Sequence, residues 1–206
     1  MEITAASEVP VWAHIDEPED AIDAVSSGIF GLAHPVFSQS SSQVYQVPIT
    51  TTIGALGGAA ELVYGTLLQD DLSSVPNLVV DNWSFLAQNP EFFLPNWLGY
   101  SQNWGGYAAD NIQLAFESSQ VIVAGADAGY TFVPHGLGLH RELEKLVSIG
   151  LTPQQAIATA TQIPADVFGW DDLGLIDDGY RADLLIVEGN PDQNIRNLRN
   201  LEMIFI

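Results

Sequence analysis

Val121-Ile-Val-Ala-Gly-Ala-Asp127-Ala-Gly129 is an apolar, β-branched run that ends in one carboxylate between small residues. The run predicts a buried strand, and Asp127 at its end predicts that this strand delivers a single acid into a site. Two histidines are placed in a similar way: His14 follows Val-Pro-Val-Trp-Ala, and His34 follows Ile-Phe-Gly-Leu-Ala. Three strands that each end in a metal-competent side chain indicate a metal site at one face of a parallel sheet or barrel.

Each of these three residues also has an ordinary structural explanation. A histidine at a strand end is commonly a hydrogen-bonded structural residue, and an aspartate after a strand commonly caps a turn or a helix. Two of the four histidines in the chain are placed in this way, together with the acid. This repeated placement raises the weight of the site hypothesis against the structural alternative.

Composition limits the possible functions. The chain has 206 residues, enough for one domain or a domain with a small appendage, and 47% of them are hydrophobic, which supports a folded core. It has 26 acidic and only five basic residues, for a formal charge of -21. Such a surface repels phosphate groups, so we expect no binding to nucleic acid and none to anionic membranes. The absence of cysteine excludes disulfides and thiolate metal sites.

No segment approaches the roughly 18 consecutive apolar residues that a membrane span requires. The first residues, Met-Glu-Ile-Thr-Ala-Ala-Ser, have neither the basic start nor the apolar centre of a signal peptide. We therefore expect a soluble chain, of undetermined compartment.

Strands and helices alternate along most of the chain. The pattern predicts five helices: one that begins at Glu17, three at 55–68, 110–118 and about 139–150, and one after Thr152. It also predicts strands at 29–33 and 47–53 and a strand that ends at Asp127. Residues 70–108 are rich in Asn, Pro, Trp and Gly, and they predict a long excursion with short helices over the mouth of a site. Two short strands, 183–187 and 203–206, follow the last helix. This order predicts an α/β body with part of a small β domain.

The carboxyl-terminal half carries five motifs in a fixed order. Residues 125–129, 135–143, 150–156, 160–169 and 179–187 read Gly-Ala-Asp-Ala-Gly, His-Gly-Leu-Gly-Leu-His-Arg-Glu-Leu, Gly-Leu-Thr-Pro-Gln-Gln-Ala, Ala-Thr-Gln-Ile-Pro-Ala-Asp-Val-Phe-Gly and Gly-Tyr-Arg-Ala-Asp-Leu-Leu-Ile-Val. Together they resemble the metal-dependent amidohydrolase superfamily, and most of all its imidazolonepropionase-like and Xaa-Pro dipeptidase-like branch. The resemblance is dense over 121–206, clear over 8–34 and weak over 35–120.

The resemblance implies a fold. The family has a (β/α)8 TIM barrel with its metal centre at the carboxyl ends of the strands. The matched elements are strands five to eight with their helices, so we expect a partial barrel over residues 1–169. Residues 170–206 match the carboxyl-terminal strands of a small composite β-sandwich domain. The chain then looks like the carboxyl-terminal half of an amidohydrolase, and Met1 would lie in the helix before strand five.

The resemblance also implies the site residues. His14 and His34 match the metal ligands that end strands five and six, and Asp127 matches the metal ligand and general base that ends strand eight. The implied cofactor is a divalent metal, zinc by default with manganese or iron as alternatives, binuclear in a complete enzyme, and there is no organic cofactor. His135 and His140 follow the eighth strand and are weaker candidates for contacting substrate or orienting the ligands, with a structural role as the alternative.

The chain departs from the family in two ways. It contains no His-x-His pair, which the family's first strand supplies, and its only lysine, Lys145, lies after Asp127 and not at the bridging position of strand four. The resemblance therefore implies a hydrolase of amide or other C–N bonds that is present as a half and is expected to be inactive alone. Its substrate would be a small amide, dipeptide or cyclic amide, and its partner a missing amino-terminal half or a second copy.

Two alternatives stay open at this point. The first is a non-catalytic half-barrel relic that acts as a binding or oligomerising module. The second is a reduced site in which His14, His34 and Asp127 bind a single ion, since three protein ligands and a water form a legitimate catalytic zinc set.

Overall fold

A computed structural model describes residues 9–63, 67–69, 72–92 and 97–206. Its main sheet has four parallel strands in chain order: β1 (Trp12–Ala13), β2 (Gly31–Leu32), β3 (Ile49–Thr50) and β4 (Ile122–Val123). The strands are short, but backbone hydrogen bonds continue the pairing beyond them, as from Thr51 N to Val123 O at 3.1 Å. Because all four strands are parallel, their carboxyl ends meet at one edge of the sheet.

Helices connect and follow these strands. In chain order they are α1 (Pro18–Ser26), α2 (Ile53–Val63), α3 (Asn77–Gln88), α4 (Trp97–Glu117), α5 (Leu137–Ser148), α6 (Pro153–Thr159) and α7 (Gln162–Phe168), with 3-10 turns at Leu67–Gln69, Pro90–Phe92 and Ile195–Arg199. Two further strands, β5 (Leu184–Val187) and β6 (Leu201–Phe205), form a separate antiparallel pair. Within the described ranges, no helix has both the length and the apolar character needed to cross a membrane.

Local sequence signals explain where two of the helices begin. Glu17 and Asp20 form a capping box at the start of α1, with Pro18 at its first position. Thr152 accepts a hydrogen bond from Gln155 N and forms the capping box that opens α6. Both starts agree with the sequence, because side chains of these types satisfy the free N–H groups of a first helical turn.

The main core lies between the sheet and the helices. Leu32, Ile49 and Ile122, one from each of three strands, pack there with Ile112 of α4 and Leu146 of α5, and all five are at most 3% exposed. A second cluster joins α2 to α3. It contains Ala59, Leu62, Leu67, Val75, Trp83 and Phe132.

The helix α4 is longer than the sequence predicts. It begins at Trp97, whereas the Asn- and Gly-rich composition predicted short helices before residue 108 and a helix only from 110. Helices α2 and α4 pack closely at two glycines, since a Cβ on Gly105 would lie 2.9 Å from the Cα of Gly57. Glycine weakens an isolated helix, but here it permits backbone contact between two helices, and tertiary packing supplies the missing stability.

The face of the sheet opposite this core carries an aromatic cluster. Trp12 pairs in register with Gly31, and a Cβ on Gly31 would lie 2.7 Å from the Trp12 ring. The same ring contacts Phe30 and Phe168, each at a centroid distance of 5.8 Å. Gly31 therefore makes room for the Trp12 side chain.

A buried acid ties α5 to the start of α2. Glu142 is fully buried and accepts hydrogen bonds from Ile53 N at 2.9 Å and Gly54 N at 2.8 Å. Burial raises the pKa of Glu142, although hydrogen bonds from Thr51 and from the two backbone N–H groups oppose the rise. The carboxylate thus fixes the chain just after the carboxyl end of β3.

Candidate active site

Two histidines meet at the carboxyl ends of neighbouring strands. His14 directly follows β1 and His34 follows β2, and the register pairs Ala13 with Leu32. The Nε2 atom of His34 lies 2.6 Å from Nδ1 of His14, with ring centroids 4.2 Å apart. The His34 residue is 8% exposed, whereas the His14 side chain is 76% exposed. The sheet therefore presents one buried and one accessible imidazole to the same space.

Backbone contacts orient the buried imidazole. The Nδ1 atom of His34 lies 2.9 Å from the carbonyl oxygen of Pro35. A carbonyl oxygen only accepts, so Nδ1 carries the hydrogen and the Nε2 lone pair faces His14. A metal-binding histidine is commonly held in this way, with its far nitrogen on a backbone carbonyl or a carboxylate.

Electrostatics favour the neutral form of His34. Burial lowers the pKa of His34, and the imidazole of His14 lowers it further. The Pro35 carbonyl and the carboxylates of Asp16 and Asp127 act in the opposite direction, but the net shift is downward. Because only a neutral imidazole can bind a metal ion, the shift favours the form that a ligand needs.

Asp16 is a neighbour of the pair that the sequence reasoning missed. Its Oδ1 atom lies 3.5 Å from Nε2 of His14 and therefore contacts the imidazole on the side away from His34. A carboxylate in that position orients a ligand histidine. The available signal was the spacing His14-Ile-Asp16, an acid two residues beyond the end of the strand.

Asp127 lies at the same end of the sheet, on a turn. The predicted strand is too long: β4 ends at Val123, although one backbone bond to the segment after β3 continues beyond it, from Thr52 N to Gly125 O at 3.0 Å. Asp127 is exposed and has a positive φ of 52°. Its carboxylate is near enough to raise the pKa of His34. Asp127 therefore acts electrostatically on His34, and its side chain is open to solvent.

The structure brings two of the three predicted ligands into contact. Within residues 9–63, 67–69, 72–92 and 97–206, no three His, Cys, Asp or Glu side chains form a complete metal-binding group. Two imidazoles at the carboxyl ends of neighbouring strands, one of them already held at its far nitrogen, are chemically suited to bind a metal ion, although at 2.6 Å their facing nitrogens are hydrogen-bonded to each other. The assignment of His14, His34 and Asp127 as ligands stays a prediction.

Backbone strain is found at the carboxyl ends of β3 and β4. Thr52 has a φ of 43° and Asp127 a φ of 52°, a region that non-glycine residues rarely adopt. The two turns are linked, since Thr52 N donates to Gly125 O at 3.0 Å. The Thr52 hydroxyl is buried without a hydrogen-bond partner in the described part of the chain. Strain of this kind clusters at functional sites, and nothing in the sequence signalled it.

The two weaker candidates have different surroundings. His135 is exposed and lies beside Gly129, at the rim of a cavity of about 430 Å³ that also contacts Trp83 and Phe132. His140 lies on α5, where burial and the positive charge of Arg199 lower its pKa against the opposing effect of Glu144. His135 is thus close to the turn that follows Asp127, while His140 lies beside the 3-10 turn at 195–199. Their predicted roles remain untested.

A side-chain clamp holds the loop that follows His34. Asn111 of α4 donates to Val36 O at 2.8 Å and to Gln39 O at 2.9 Å, and it accepts from Ser41 N at 2.7 Å. One amide therefore satisfies three backbone groups of a segment without regular structure. No local sequence signal indicates this role of Asn111, because its partners lie about 70 residues away.

Comparisons with known proteins agree with this architecture. The sequence model of the amidohydrolase family matches residues 109–205. Comparison with curated proteins finds no match. Among solved structures, a Xaa-Pro dipeptidase with bound methionine in its active site has a TM-score of 0.70 at 21% identity, over 98% of this chain and 45% of its own.

Two other solved structures are similar. An A. niger ochratoxinase has a TM-score of 0.68 at 19% identity, over 99% of this chain and 42% of its own. A bottromycin amidohydrolase has a TM-score of 0.71 at 17% identity, over 100% of this chain and 50% of its own. The chain therefore spans about half the length of the structures that it matches. The family match over residues 109–205 and the shared α/β fold support the sequence-based assignment of this chain to the amidohydrolase superfamily.

Proposed function

We propose that this chain forms the half of a metal-dependent hydrolase barrel that corresponds to strands five to eight. Its reaction is the hydrolysis of an amide or other C–N bond in a small amide, dipeptide or cyclic amide, as in the Xaa-Pro dipeptidase-like branch. One observation carries the proposal: Nε2 of His34 and Nδ1 of His14 face each other 2.6 Å apart at the carboxyl ends of parallel strands. In this proposal residues 1–169 form the half barrel and residues 170–206 belong to the composite β domain.

His14, His34 and Asp127 are the residues that would hold the metal. Two imidazoles and a carboxylate suit a divalent ion, zinc by default. When bound, such an ion lowers the pKa of a water molecule and polarises the scissile carbonyl. The Pro35 carbonyl and the Asp16 carboxylate hold the two imidazoles in position for this purpose.

Asp127 has the proposed role of general base. An exposed carboxylate on a turn beside the pair can accept a proton from the attacking water and pass it to the leaving nitrogen. The chain has no His-x-His pair and no lysine other than Lys145, and Lys145 is already paired with Glu61 on α2. We therefore propose that full activity needs a complementary half that supplies the remaining ligands.

A non-catalytic half barrel is the second candidate. It is favoured by the lack of a group of three metal-binding side chains within the described residues. In that case the chain would act as a binding or oligomerising module, and the histidine pair would be a structural hydrogen bond.

Hydrolysis assays separate the two candidates. The metal-loaded chain is assayed against Xaa-Pro dipeptides and cyclic amides, alone and mixed with a polypeptide that supplies strands one to four with His-x-His and the bridging lysine. We expect no family-like turnover by the chain alone and turnover by the mixture. Asp127→Asn should abolish that turnover without unfolding the chain, while Asp110→Asn, on α4, should retain it. Turnover by the lone chain that survives both chelator and Asp127→Asn would overturn the proposal.

A further inference from the structure

A row of aromatic rings leads away from the histidine pair. The ring of Phe37 lies 5.3 Å from that of His34, and the ring of Trp104 lies 5.2 Å from Phe37 in an edge-to-face arrangement. Tyr100 stacks on Trp104 at 5.8 Å with an interplanar angle of 16°. His34 is buried, Phe37 and Trp104 are half-buried, and Tyr100 is 50% exposed. The row therefore runs from the candidate site to the surface.

Trp104 also lies near the segment that follows Asp127. Together with Ser101 of the same helix it lines a crevice whose other wall includes Tyr130 and Thr131. The backbone of Tyr130 is hydrogen-bonded to that of Asp127, from N to O at 3.0 Å. Trp104 thus lies near both the segment that follows His34 and the segment that follows Asp127.

The row is held in place from both sides. Asn111 fixes the loop that carries Phe37, as described above. One turn before Trp104, the hydroxyl of Ser101 donates to Leu56 O of α2 at 3.1 Å. An aromatic surface supported in this way loses little conformational entropy when an apolar group packs on it.

Two carboxylates act on the histidine end of this row. All five basic residues form ion pairs with acidic side chains. Arg141 and Lys145 pair with Glu61, Arg181 pairs with Asp183, and Arg196 and Arg199 pair with Glu144. The charged groups that act on the His34 side chain, apart from His14, are the carboxylates of Asp16 and Asp127. A ligand carboxylate at this place would meet like charges, whereas a neutral or cationic group would not.

We infer that the substrate group bound by this chain is an aromatic or bulky apolar side chain on a neutral or cationic moiety, packed on Phe37 and Trp104. A substrate carboxylate is not bound by this half. The inference rests on the proposed function, because it identifies the row as the substrate side of the same site. It makes Phe37 and Trp104 specificity-determining residues for the reaction.

A charge series built on one ring tests the inference. The probes are phenylacetamide, phenethylamine and phenylacetate, with acetamide as the probe that lacks a ring. Binding is followed by saturation-transfer NMR and by the indole N–H resonances of the five tryptophans. The neutral and cationic ring probes should shift the Trp104 resonance, with dissociation constants about tenfold below those of phenylacetate and acetamide, a difference of about 1.4 kcal/mol.

Substitutions locate the binding surface. Trp104→Ala and Phe37→Ala should each remove the preference for ring probes. Trp170→Ala should preserve it, because Trp170 is an exposed tryptophan that stacks on Phe168, outside the row. Circular dichroism checks the fold of each variant, and Trp104→Phe provides a conservative replacement that keeps a ring. Equal or tighter binding of phenylacetate, binding that survives Trp104→Ala, or no binding of any ring probe would overturn the inference.

Metal affinity measured on the same samples keeps the two proposals separable. If His14→Ala abolishes metal binding but the probes show no preference, only the inference about the substrate fails. If the probes behave as expected but His14→Ala leaves the metal affinity unchanged, the aromatic site is supported and the proposed function fails.

Discussion

His14 and His34 are 20 residues apart in the chain, yet His34 Nε2 lies 2.6 Å from His14 Nδ1. The parallel register of β1 and β2 produces this contact, because each histidine leaves its strand at the same edge of the sheet. With Nδ1 of His34 bonded to the Pro35 carbonyl, the hydrogen between the rings must come from His14. Binding of one divalent ion by both nitrogens would replace this hydrogen bond and would require the two rings to separate, because metal–nitrogen bonds are about 2.0–2.1 Å long.

The first prediction concerns metal affinity. His14→Ala and His34→Ala should each weaken Zn²⁺ or Co²⁺ binding by at least about 100-fold, because removal of an outer partner alone costs roughly 10–100-fold. Calorimetric titration measures the affinity, and Co²⁺ absorption reports the ligand set. His140→Ala is the matched control, since His140 lies on α5 beside the 195–199 turn. Unchanged affinity in both single variants would rule out the histidine pair as a metal site.

The second prediction concerns the contact between Gly31 and Trp12. Gly31→Ala should lower the free energy of unfolding by about 1–3 kcal/mol, because the new methyl would overlap the Trp12 ring. Trp12→Leu in the same chain should recover part of that loss, as expected for residues in contact. Urea unfolding measures both effects.

Gly106 of α4 supplies the control for this substitution. A Cβ there would meet no atom within 4 Å, so Gly106→Ala should stabilise the chain by up to about 1 kcal/mol through helix propensity. Equal effects at the two glycines would contradict the steric explanation.

Much of the fold could be predicted from the sequence, because its signals are local. The capping boxes at Glu17 and Thr152 and the apolar stripe of α5 depend on residues within one or two helical turns. The start of α4 could not be predicted in this way. It depends on Gly105 packing against Gly57, a contact between residues 48 positions apart that is invisible to helix propensity.

In the candidate site, too, the features with local sequence signals were predictable and those that depend on long-range contacts were not. His14 and His34 were identifiable because each ends an apolar strand, and parallel pairing then brings them together. The orientation of Asp127 was not predictable, because it depends on the positive φ of this residue in the turn that follows β4. Asp16, Asn111 and the Phe37–Trp104 contact also escaped prediction, since the role of each depends on which loops meet at the strand ends.

The third prediction concerns the loop clamp. Asn111→Ala removes three hydrogen bonds to backbone groups of the segment 36–41, and each is worth about 0.5–1.5 kcal/mol. We expect faster amide exchange in that segment and a loss of stability of about 2–3 kcal/mol. Hydrogen exchange read by NMR measures the first effect and urea unfolding the second.

Asn103→Ala is a suitable control for the clamp, because Asn103 is an exposed residue of the same helix. It should leave the exchange of residues 36–41 unchanged. If Asn111→Ala changes global stability but not local exchange, the side chain supports α4 and does not clamp the loop.

The fourth prediction concerns two acids with opposite pH dependence. Burial would raise the pKa of Glu61, but Lys145 and Arg141 lower it below the ordinary 4.5. Its contribution to stability is therefore present above pH 4.5 and is lost as the pH falls through the lowered value. Burial raises the pKa of Glu142 above 4.5. Its contribution is present below pH 4.5 and is lost as the pH rises through the raised value.

Urea unfolding of the parent and of two isosteric variants across the pH range tests these signs. Glu61→Gln should remove part of the acid-induced loss of stability below pH 4.5. Glu142→Gln should flatten the decline above pH 4.5, although it also costs about 1–3 kcal/mol by mismatching one backbone N–H. Identical pH profiles in all three proteins would refute the assignment.

The last prediction concerns association. The β5–β6 pair carries apolar side chains on both of its faces, since the cross-strand partners Leu185 and Ile204 alternate with Ile186 and Met203. All four are 44–61% exposed. An isolated two-stranded sheet is marginal in water, and an exposed apolar patch of this kind marks an interaction surface. We therefore expect the purified chain to self-associate or to bind a complementary half, as measured by light scattering after gel filtration. Leu185→Lys with Met203→Lys, one charge on each face, should shift the chain toward monomer, whereas Leu78→Lys, at a residue of α3 that is 81% exposed, should not. A stable monodisperse monomer of the parent chain would show that the pair is self-sufficient and would count against the half-barrel proposal.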